Sequence, residues 1–296
     1  MKVIKTIPFQ NSMLLSTTAT ETVASWSSAT TYGKDAEVNY NNSIYVSLQA
    51  SNTNKTPNTE PTWWLRKSAN NTYSMFDEFV NTQTIQASPL TVSLQPGTMC
   101  NSVAFFNLEQ AQSLSIEVKD GVSGPVVYSK TFDLDDTIIV DWYMYFFEPY
   151  DLKSDFVITD LPPYPNSVIT CSFTSSSSVR LGNMVVGNVC KIGETQYGVT
   201  SGIRDYSSKY TNDFGITAFT QRAFSKRMEA NVYINNGDLR FVQKLLQELR
   251  AVPSVWIGTD AEGYEILTIY GYYRDFNIEI PYPNNSFCRL EIEGLI

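Results

Sequence analysis

The sequence predicts a mainly β protein, made of β-sandwich domains and a small aromatic β module, with one amphipathic helix near its C-terminal end. Three observations lead to this fold class. Short segments rich in β-branched and aromatic residues alternate with turn-forming residues along most of the 296 residues. Only one segment shows helical periodicity. Charged residues make up 17% of the chain, against roughly 25% in an ordinary soluble domain. Much of the surface must therefore carry uncharged polar side chains.

The composition and the turn signals divide the chain into an N-terminal arm and three segments that follow it. We expect an N-terminal arm at 1–21 and a small aromatic β domain at 22–67. A β-sandwich or jelly-roll domain is expected at 73–190, and a β-rich domain at 191–296 contains the helix at 238–250.

The aromatic domain contains a predicted two-strand hairpin. Val38 and Tyr40 alternate with polar neighbours, and Asn41-Asn42 follows them. Asparagine tolerates positive φ, so this pair suits a two-residue turn. The resulting register places Tyr40 opposite Ser43 and Val38 opposite Tyr45.

The second segment reads as a series of short strands separated by turns such as Gln95-Pro96-Gly97 and Asp120-Gly121. Its longest apolar run, Ile138–Phe147, is predicted to be a buried strand that ends at Pro149, with Asp141 facing an edge or a partner. The expected strands are Leu90–Leu94, Ser102–Phe106, Ser113–Val118, Val126–Phe132, Ile138–Phe147, Phe156–Thr159 and Ser167–Thr174.

The third segment contains the predicted helix. Leucine and valine recur at three- and four-residue steps from Leu239 to Leu249, Asn236 or Asp238 can cap the N-terminus, and Pro253 closes the segment. The strands expected around the helix are Glu229–Ile234, Ser254–Ile257, Glu265–Tyr272 and Phe287–Ile292.

The chain contains no histidine, which excludes several chemistries. Ser–His–Asp and Cys–His catalysis and HExxH zinc proteolysis all require one. The four cysteines, Cys100, Cys171, Cys190 and Cys288, form no CxxC pair, so we expect buried thiols, no zinc site and no cofactor. The acids Asp133, Asp135, Asp136 and Glu148 show no glycosidase or calcium pattern and are interpreted as solvated turn residues.

The charge balance and the apolar runs bear on partners and location. With 21 basic and 30 acidic residues the net charge is −9, which argues against nucleic-acid binding. No secretory signal is recognisable and no run approaches the about 18 apolar residues of a membrane span. We expect assembly in a cytoplasm.

The aromatic domain resembles a chitin-binding type 3 domain, of the family 5/12 carbohydrate-binding modules. The resemblance rests on Trp26, Thr31-Tyr32-Gly33, Glu37 to Asn42, Tyr45 and Pro61 to Trp64. The stretch Val46 to Ala50 departs from the family, which usually carries a tryptophan pair there. Sugar stacking needs exposed rings; alternatively, the same rings form the core of the module. The candidate carbohydrate-binding residues are Trp26, Tyr32, Tyr40, Tyr45, Trp63 and Trp64.

Most of the remaining chain is similar to minor tail and tail-tip proteins of tailed bacteriophages. The stretches that carry this resemblance include Tyr73 to Asp77, Ala104 to Leu108, Thr159 to Tyr164, Gly193 to Gly198 and Leu290 to Leu295. The resemblance implies a distal-tail-like, ring-forming C-terminal domain at 191–296, in a non-enzymatic structural protein of the virion.

The expected function is therefore structural. The chain would form a sixfold or threefold ring of its own copies that joins the tail tube to the hub or fibres, with the aromatic module facing outward. The alternative is a carbohydrate-binding adhesin that recognises a cell-surface glycan. A glycoside hydrolase with an accessory module is the third hypothesis, and no carboxylate motif favours it.

Overall fold

A computed structural model describes residues 1–137, 139–147, 151–261 and 263–295. The predicted fold class is confirmed: the chain is mainly β, with a curled sheet, a second sheet packed against it, and few helices. The elements group into one large sheet, one five-stranded sheet and three smaller ones.

The secondary structure has the following bounds. The strands are β1 (Lys2–Thr6), β2 (Leu14–Thr17), β3 (Thr31–Tyr32), β4 (Glu37–Tyr40), β5 (Ser43–Ser47), β6 (Asn52–Thr53), β7 (Trp64–Ala69), β8 (Thr84–Ala87), β9 (Leu90–Leu94), β10 (Ser102–Glu109), β11 (Ser113–Asp120), β12 (Val126–Asp133), β13 (Phe156–Ile158), β14 (Ser167–Thr174), β15 (Ser178–Lys191), β16 (Glu194–Thr195), β17 (Thr200–Asp205), β18 (Ser208–Thr211), β19 (Thr217–Thr220), β20 (Phe224–Asn235), β21 (Ser254–Ile257), β22 (Thr268–Glu279) and β23 (Asn285–Gly294). The helices are α1 (Trp142–Phe147) and α2 (Leu239–Glu248), and short 3-10 turns cover Asn11–Met13, Ser74–Phe76 and Glu265–Leu267.

The large sheet has 11 strands and joins residues from the two ends of the chain. Its order is β13-β10-β15-β1-β21-β22-β23-β20-β16, with β8 beside β15 and β17 beside β20. Strand β1 lies between the two halves: Ile4 is opposite Val189 of β15 on one side and Val255 of β21 on the other. Residues 2–6, which were expected to belong to the N-terminal arm, are thus a central strand of this sheet.

The side chains of β1 explain why this strand can occupy the centre. Val3 and Ile4 alternate across the sheet and are both fully buried, on opposite faces. The lysines at the ends of the apolar pair reach carboxylates: Lys2 Nζ lies 2.6 Å from Asp260, and Lys5 Nζ lies 2.6 Å from Glu248. A strand only five residues long therefore contributes to two cores.

The large sheet is curled. Four strand spacings separate β10 from β22, which would be about 19 Å in a flat sheet. Nevertheless the rings of Phe106 on β10 and Tyr270 on β22 stack with centroids 5.4 Å apart. Ile4, Val185 and Val255 pack in the same cluster, so this face of the sheet is the inner side of the curl. Burial raises the pKa of the Tyr270 hydroxyl to about 12, with the nearby acids contributing further.

The outer face is covered by two different elements. The five-stranded sheet, in the order β12-β11-β14-β9-β2, packs on the β10–β15 half and encloses a core that includes Phe105 and Phe173. Helix α2 covers the other half, where Val242 and Leu246 join Val3 and Trp256. The chain is thus a β-sandwich at one end and a sheet covered by a helix at the other.

Most predictions from local sequence patterns are confirmed. Strands β9, β14 and β21 have the expected bounds, and α2 lies within the expected range of 238–250. Asp238 occupies the N-cap position, although its side chain makes no capping hydrogen bond. The Asn41-Asn42 turn has positive φ at both residues, and Val38 pairs with Tyr45 as predicted.

The predicted buried strand at 138–147 is wrong. Its described part, 139–147, contains the short helix α1, and most of its large apolar side chains are exposed. Asp141 is the cause of the helix start: its Oδ1 accepts a hydrogen bond from Met144 N at 2.8 Å, which satisfies one of the free N–H groups of the first turn. Ile138 lies outside the described residues.

The predicted segment boundaries stay predictions, but the large sheet bears on them. Strand β15 is 14 residues long and runs across the expected boundary between 190 and 191. It pairs with β10 over one part of its length and with β1 over another. The second and third segments therefore share a sheet.

The cysteines are free thiols. Cys100, Cys171 and Cys288 are buried, as predicted, and Cys190 is half-buried. Burial raises the pKa of the Cys288 thiol to about 11 and raises that of Cys171 further. Such thiols remain protonated near neutral pH.

Because β1 joins both halves of the large sheet, truncating its buried side chain is expected to destabilise the whole fold. We expect Ile4→Ala to lower the free energy of unfolding by about 2–5 kcal/mol, measured by urea denaturation with tryptophan fluorescence. The matched control is Ile280→Ala, since Ile280 is 64% exposed. Equal effects of the two substitutions would contradict the central role of β1.

Candidate functional site

The six candidate carbohydrate-binding residues lie in and beside the sheet β4-β5-β7. The segment before it adds to this sheet, because Asn39 N donates to Ala24 O and Trp26 N donates to Asn39 O, both at 2.9 Å. Trp26 is thereby held next to the hairpin. The six residues form two groups and not one continuous platform.

The first group contains Trp26, Tyr40 and Tyr45. The ring of Tyr40 meets that of Trp26 edge-on at 5.5 Å and that of Tyr45 edge-on at 6.5 Å. Tyr40 and Tyr45 share one face of the hairpin because their pairing partners, Ser43 and Val38, lie on that face. All three rings are half-buried. This group is a partly exposed aromatic surface.

The second group contains Tyr32, Trp63 and Trp64. Trp64 is only 2% exposed, its Nε1 donates to Lys55 O at 2.8 Å, and Tyr32 meets its ring edge-on at 5.4 Å. The face of Trp64 is therefore not available to a sugar ring. Trp63 is half-buried, and Lys55 Nζ lies 5.6 Å from the centroid of its ring.

A second exposed surface is the segment 197–224, which we call the arm. Strands β17 and β20 pair in the large sheet, and the chain continues beyond its edge as the hairpin β18–β19. Asn212 shapes the tip: its Oδ1 accepts hydrogen bonds from Phe214 N at 3.1 Å and Ile216 N at 2.8 Å. Every residue of β17 and β18 is exposed. The large exposed apolar side chains of the arm are Tyr197, Ile203, Tyr206, Tyr210, Phe214, Ile216, Phe219 and Phe224.

A third exposed surface is the segment 139–147, which we call the aromatic knob. The rings of Trp142 and Phe146 stack 6.4 Å apart along one side of α1, and those of Tyr143 and Phe147 lie 5.0 Å apart. Further ring pairs within the knob join Tyr145 to Trp142 at 6.2 Å and to Phe146 at 5.0 Å. The large exposed apolar side chains of the knob are Ile139, Val140, Trp142, Tyr143, Tyr145, Phe146 and Phe147.

The sequence contained signals for both surfaces. Asn212, Asp213 and Gly215 mark a hairpin turn between two short β-prone segments. Asp141 three residues before Met144 is an N-cap signal. Both signals predict the local backbone structure, and neither predicts that the neighbouring apolar side chains are exposed. The sequence alone therefore did not identify these two surfaces.

Of the acids interpreted as turn residues, Asp133 ends strand β12, and Asp135 and Asp136 lie in the loop that follows it. Asp135 accepts hydrogen bonds from Thr137 N at 2.9 Å and from the Thr137 hydroxyl at 2.5 Å, and these bonds hold the pKa of Asp135 below its usual range. Asp136 lies 3.7 Å from Lys153. Glu148 lies outside the described residues. Among the described residues no group of three or more acids and cysteines could hold a metal ion.

Two cavities lie beside the large sheet. One, of about 770 Å³, is lined by the Lys2–Asp260 and Lys191–Glu194 ion pairs together with Tyr197 and Tyr264. The other, of about 660 Å³, lies at the opening of the curl, where Phe106 and Tyr270 are next to the Asp155–Lys226 ion pair. The named charged groups in both cavities are paired with each other. No helix in the described ranges is long and apolar enough to cross a membrane.

Comparisons with known proteins identify no family for this chain. No protein-family model matches it, and no curated protein matches it. Among solved structures, a similar chain is CpGH89CBM32-6 produced by Clostridium perfringens, with 12% sequence identity and a TM-score of 0.27. The alignment covers 39% of this chain and 82% of that chain. A similarity this low carries no argument about function.

The adjacent tryptophans of the module are expected to respond differently to truncation. Trp64→Ala removes a buried ring and its hydrogen bond, and we expect it to destabilise the module by about 3–5 kcal/mol. Trp63→Ala is the matched control and should cost less than about 1 kcal/mol. Limited proteolysis at increasing urea concentration, with cleavage followed at 22–67, measures both. Equal protection of the two variants would show that Trp64 is not a core residue.

Proposed function

We propose that the chain is a structural subunit of a bacteriophage tail tip, which forms an oligomeric ring that joins the tail tube to the hub or fibres. The observation that carries this proposal is the exposed apolar surface of the arm: Phe214 is 91% exposed and Phe219 is 75% exposed. Contiguous apolar surface of this kind in a soluble protein is typical of protein–protein interfaces.

The edge of the large sheet supports an assembly role. Every residue of strand β17 is exposed, and among the described residues it pairs on one side only, with β20. A free edge with apolar residues is a template for pairing with another chain unless charge or a covering element blocks it. Head-to-tail contacts between identical chains close into rings when their rotation allows it, here expected to be sixfold or threefold.

The phage assignment rests on the sequence stretches that resemble tail-tip proteins, from Tyr73 to Leu295. On this proposal the partners are copies of the chain and the tube, hub and fibre proteins of the tail. The chain is assembled in the host cytoplasm and is then part of the virion.

The ring is tested by size and by location. We expect the purified chain to form a closed oligomer of three or six copies, seen by light scattering coupled to gel filtration and by negative-stain microscopy. Gold-labelled antibody against the chain should decorate the distal end of tailed particles. A chain that stays monomeric and is absent from purified particles contradicts the proposal.

A carbohydrate-binding adhesin is the second candidate function. The observation that favours it is the group of Trp26, Tyr40 and Tyr45, whose half-buried rings lie together on one side of the module hairpin. Aromatic faces bind the C–H faces of pyranose rings. The two functions are compatible, because the module and the arm are different surfaces.

The adhesin function predicts glycan binding that depends on the module. We expect Tyr40→Ala or Tyr45→Ala to weaken binding to chitin or to an arrayed cell-surface glycan about tenfold, the loss of about 1.4 kcal/mol expected for one stacking ring. The control is Tyr282→Ala, since Tyr282 is 57% exposed and lies outside the module. Absence of binding to any arrayed glycan would count against this function.

A further inference from the structure

The arm and the aromatic knob are two exposed apolar surfaces on one chain, and they carry opposite charge. The arm, 197–224, contains three basic and two acidic residues. The knob lies within 133–153, which contains six acidic residues and one lysine. Burial of either apolar surface against a partner would be favourable, and the two surfaces differ in the sign of their charge.

The basic groups of the arm are arranged around its aromatic residues. Lys209 lies opposite Phe219 in the hairpin, with its Nζ 5.8 Å from the centroid of that ring. Lys209 and Arg222 form no ion pair with the residues that the structure describes, whereas Arg204 is bound to Glu293 at 3.0 Å. The arm thus presents two cations without a described acidic partner: Lys209 beside the exposed ring of Phe219, and Arg222 at the base of the hairpin.

Acidic residues also flank the knob on both sides in the sequence. Asp141 caps α1, Asp133 is the last residue of β12, and Asp135 and Asp136 lie between them. Asp151 follows it, and its side chain accepts no hydrogen bond from another described residue, while Lys153 forms an ion pair with Asp136. The knob thus presents rings within an acidic rim.

We propose that the arm of one chain binds the aromatic knob of a second copy of the same chain. Apolar side chains would be buried on both sides, and the cations of the arm would face the acids of the knob. This inference rests on the proposed ring, because it names the two surfaces that join neighbouring subunits.

The charges also select this pairing over the symmetric ones. Contact between two knobs would bring together two acidic segments, each with five described acids and one lysine, whereas the arm has a net positive charge and would gain no complementary charge from a second arm. Like charges across an interface cost several kcal/mol when they are desolvated. Arm-to-knob contact is head-to-tail, which is the type of contact that generates rings. The acidic rim also disfavours an anionic membrane surface as the occupant of the knob.

The test reverses the charge of each surface separately. The arm variant carries Lys209→Glu and Arg222→Glu, and the knob variant carries Asp136→Lys and Asp151→Lys. Each variant alone should raise the dissociation constant for self-association about tenfold or more, measured by analytical ultracentrifugation. An equimolar mixture of the two variants should recover assembly, because each then offers the other two complementary surfaces.

The control is Lys244→Glu on α2, because the side chain of Lys244 is 77% exposed. Circular dichroism confirms that each variant is folded.

The outcomes separate this inference from the proposed function. If the wild-type chain assembles and neither variant changes the dissociation constant, the arm–knob contact is wrong and the ring proposal stands. If the knob variant assembles as tightly as the wild type while the arm variant does not, the contact joins two arms and the inference is overturned. A wild-type chain that stays monomeric, or that floats with phosphatidylcholine vesicles instead of self-associating, overturns both.

Discussion

The backbone pairing of β1 with two partners is the constraint on which the rest of the fold depends. Residues 2–6 bond to β15 on one side and to β21 on the other, and without them the large sheet would be two separate sheets. Because the strand is central, Val3 supports the helix-covered core and Ile4 supports the inner side of the curl. The curl brings Phe106 to Tyr270 and so defines the cavity at its opening.

Local chemistry explains how much of this fold could be predicted from the sequence. The Asn41-Asn42 turn, the spacing of leucines in α2 and the β-prone segments depend on neighbours within a few residues, and these predictions are confirmed. The central position of β1 depends on pairing with residues about 190 and 255. Val3 and Ile4, which lie between two lysines, carry no local signal for such distant partners. The sequence therefore predicts that residues 2–6 belong to an N-terminal arm and not to a central strand.

The candidate surfaces show a different limit. Apolar runs are normally buried, so the sequence predicts a core strand at 138–147. For Trp63 and Trp64, the sequence gives no reason to assign the two neighbours different roles. In the structure the two tryptophans differ, because Trp64 is buried beneath Tyr32 and Trp63 is half-buried beside Lys55. In 139–147, most of the large apolar side chains face solvent. Sequence identifies which side chains are aromatic, whereas burial depends on the surfaces that the fold leaves uncovered. Departures from the burial rule are expected at functional surfaces.

The net charge of −9 makes the distribution of charge important for any contact between copies. Two chains of like charge repel over a distance set by the ionic strength, about 8 Å at physiological salt, so a stable contact must gain its free energy at short range. The arm carries exposed rings on a hairpin that continues beyond the β17–β20 pairing, and its Lys209 and Arg222 have no acidic partner among the described residues. That geometry moves the favourable contact away from the acidic body of the chain.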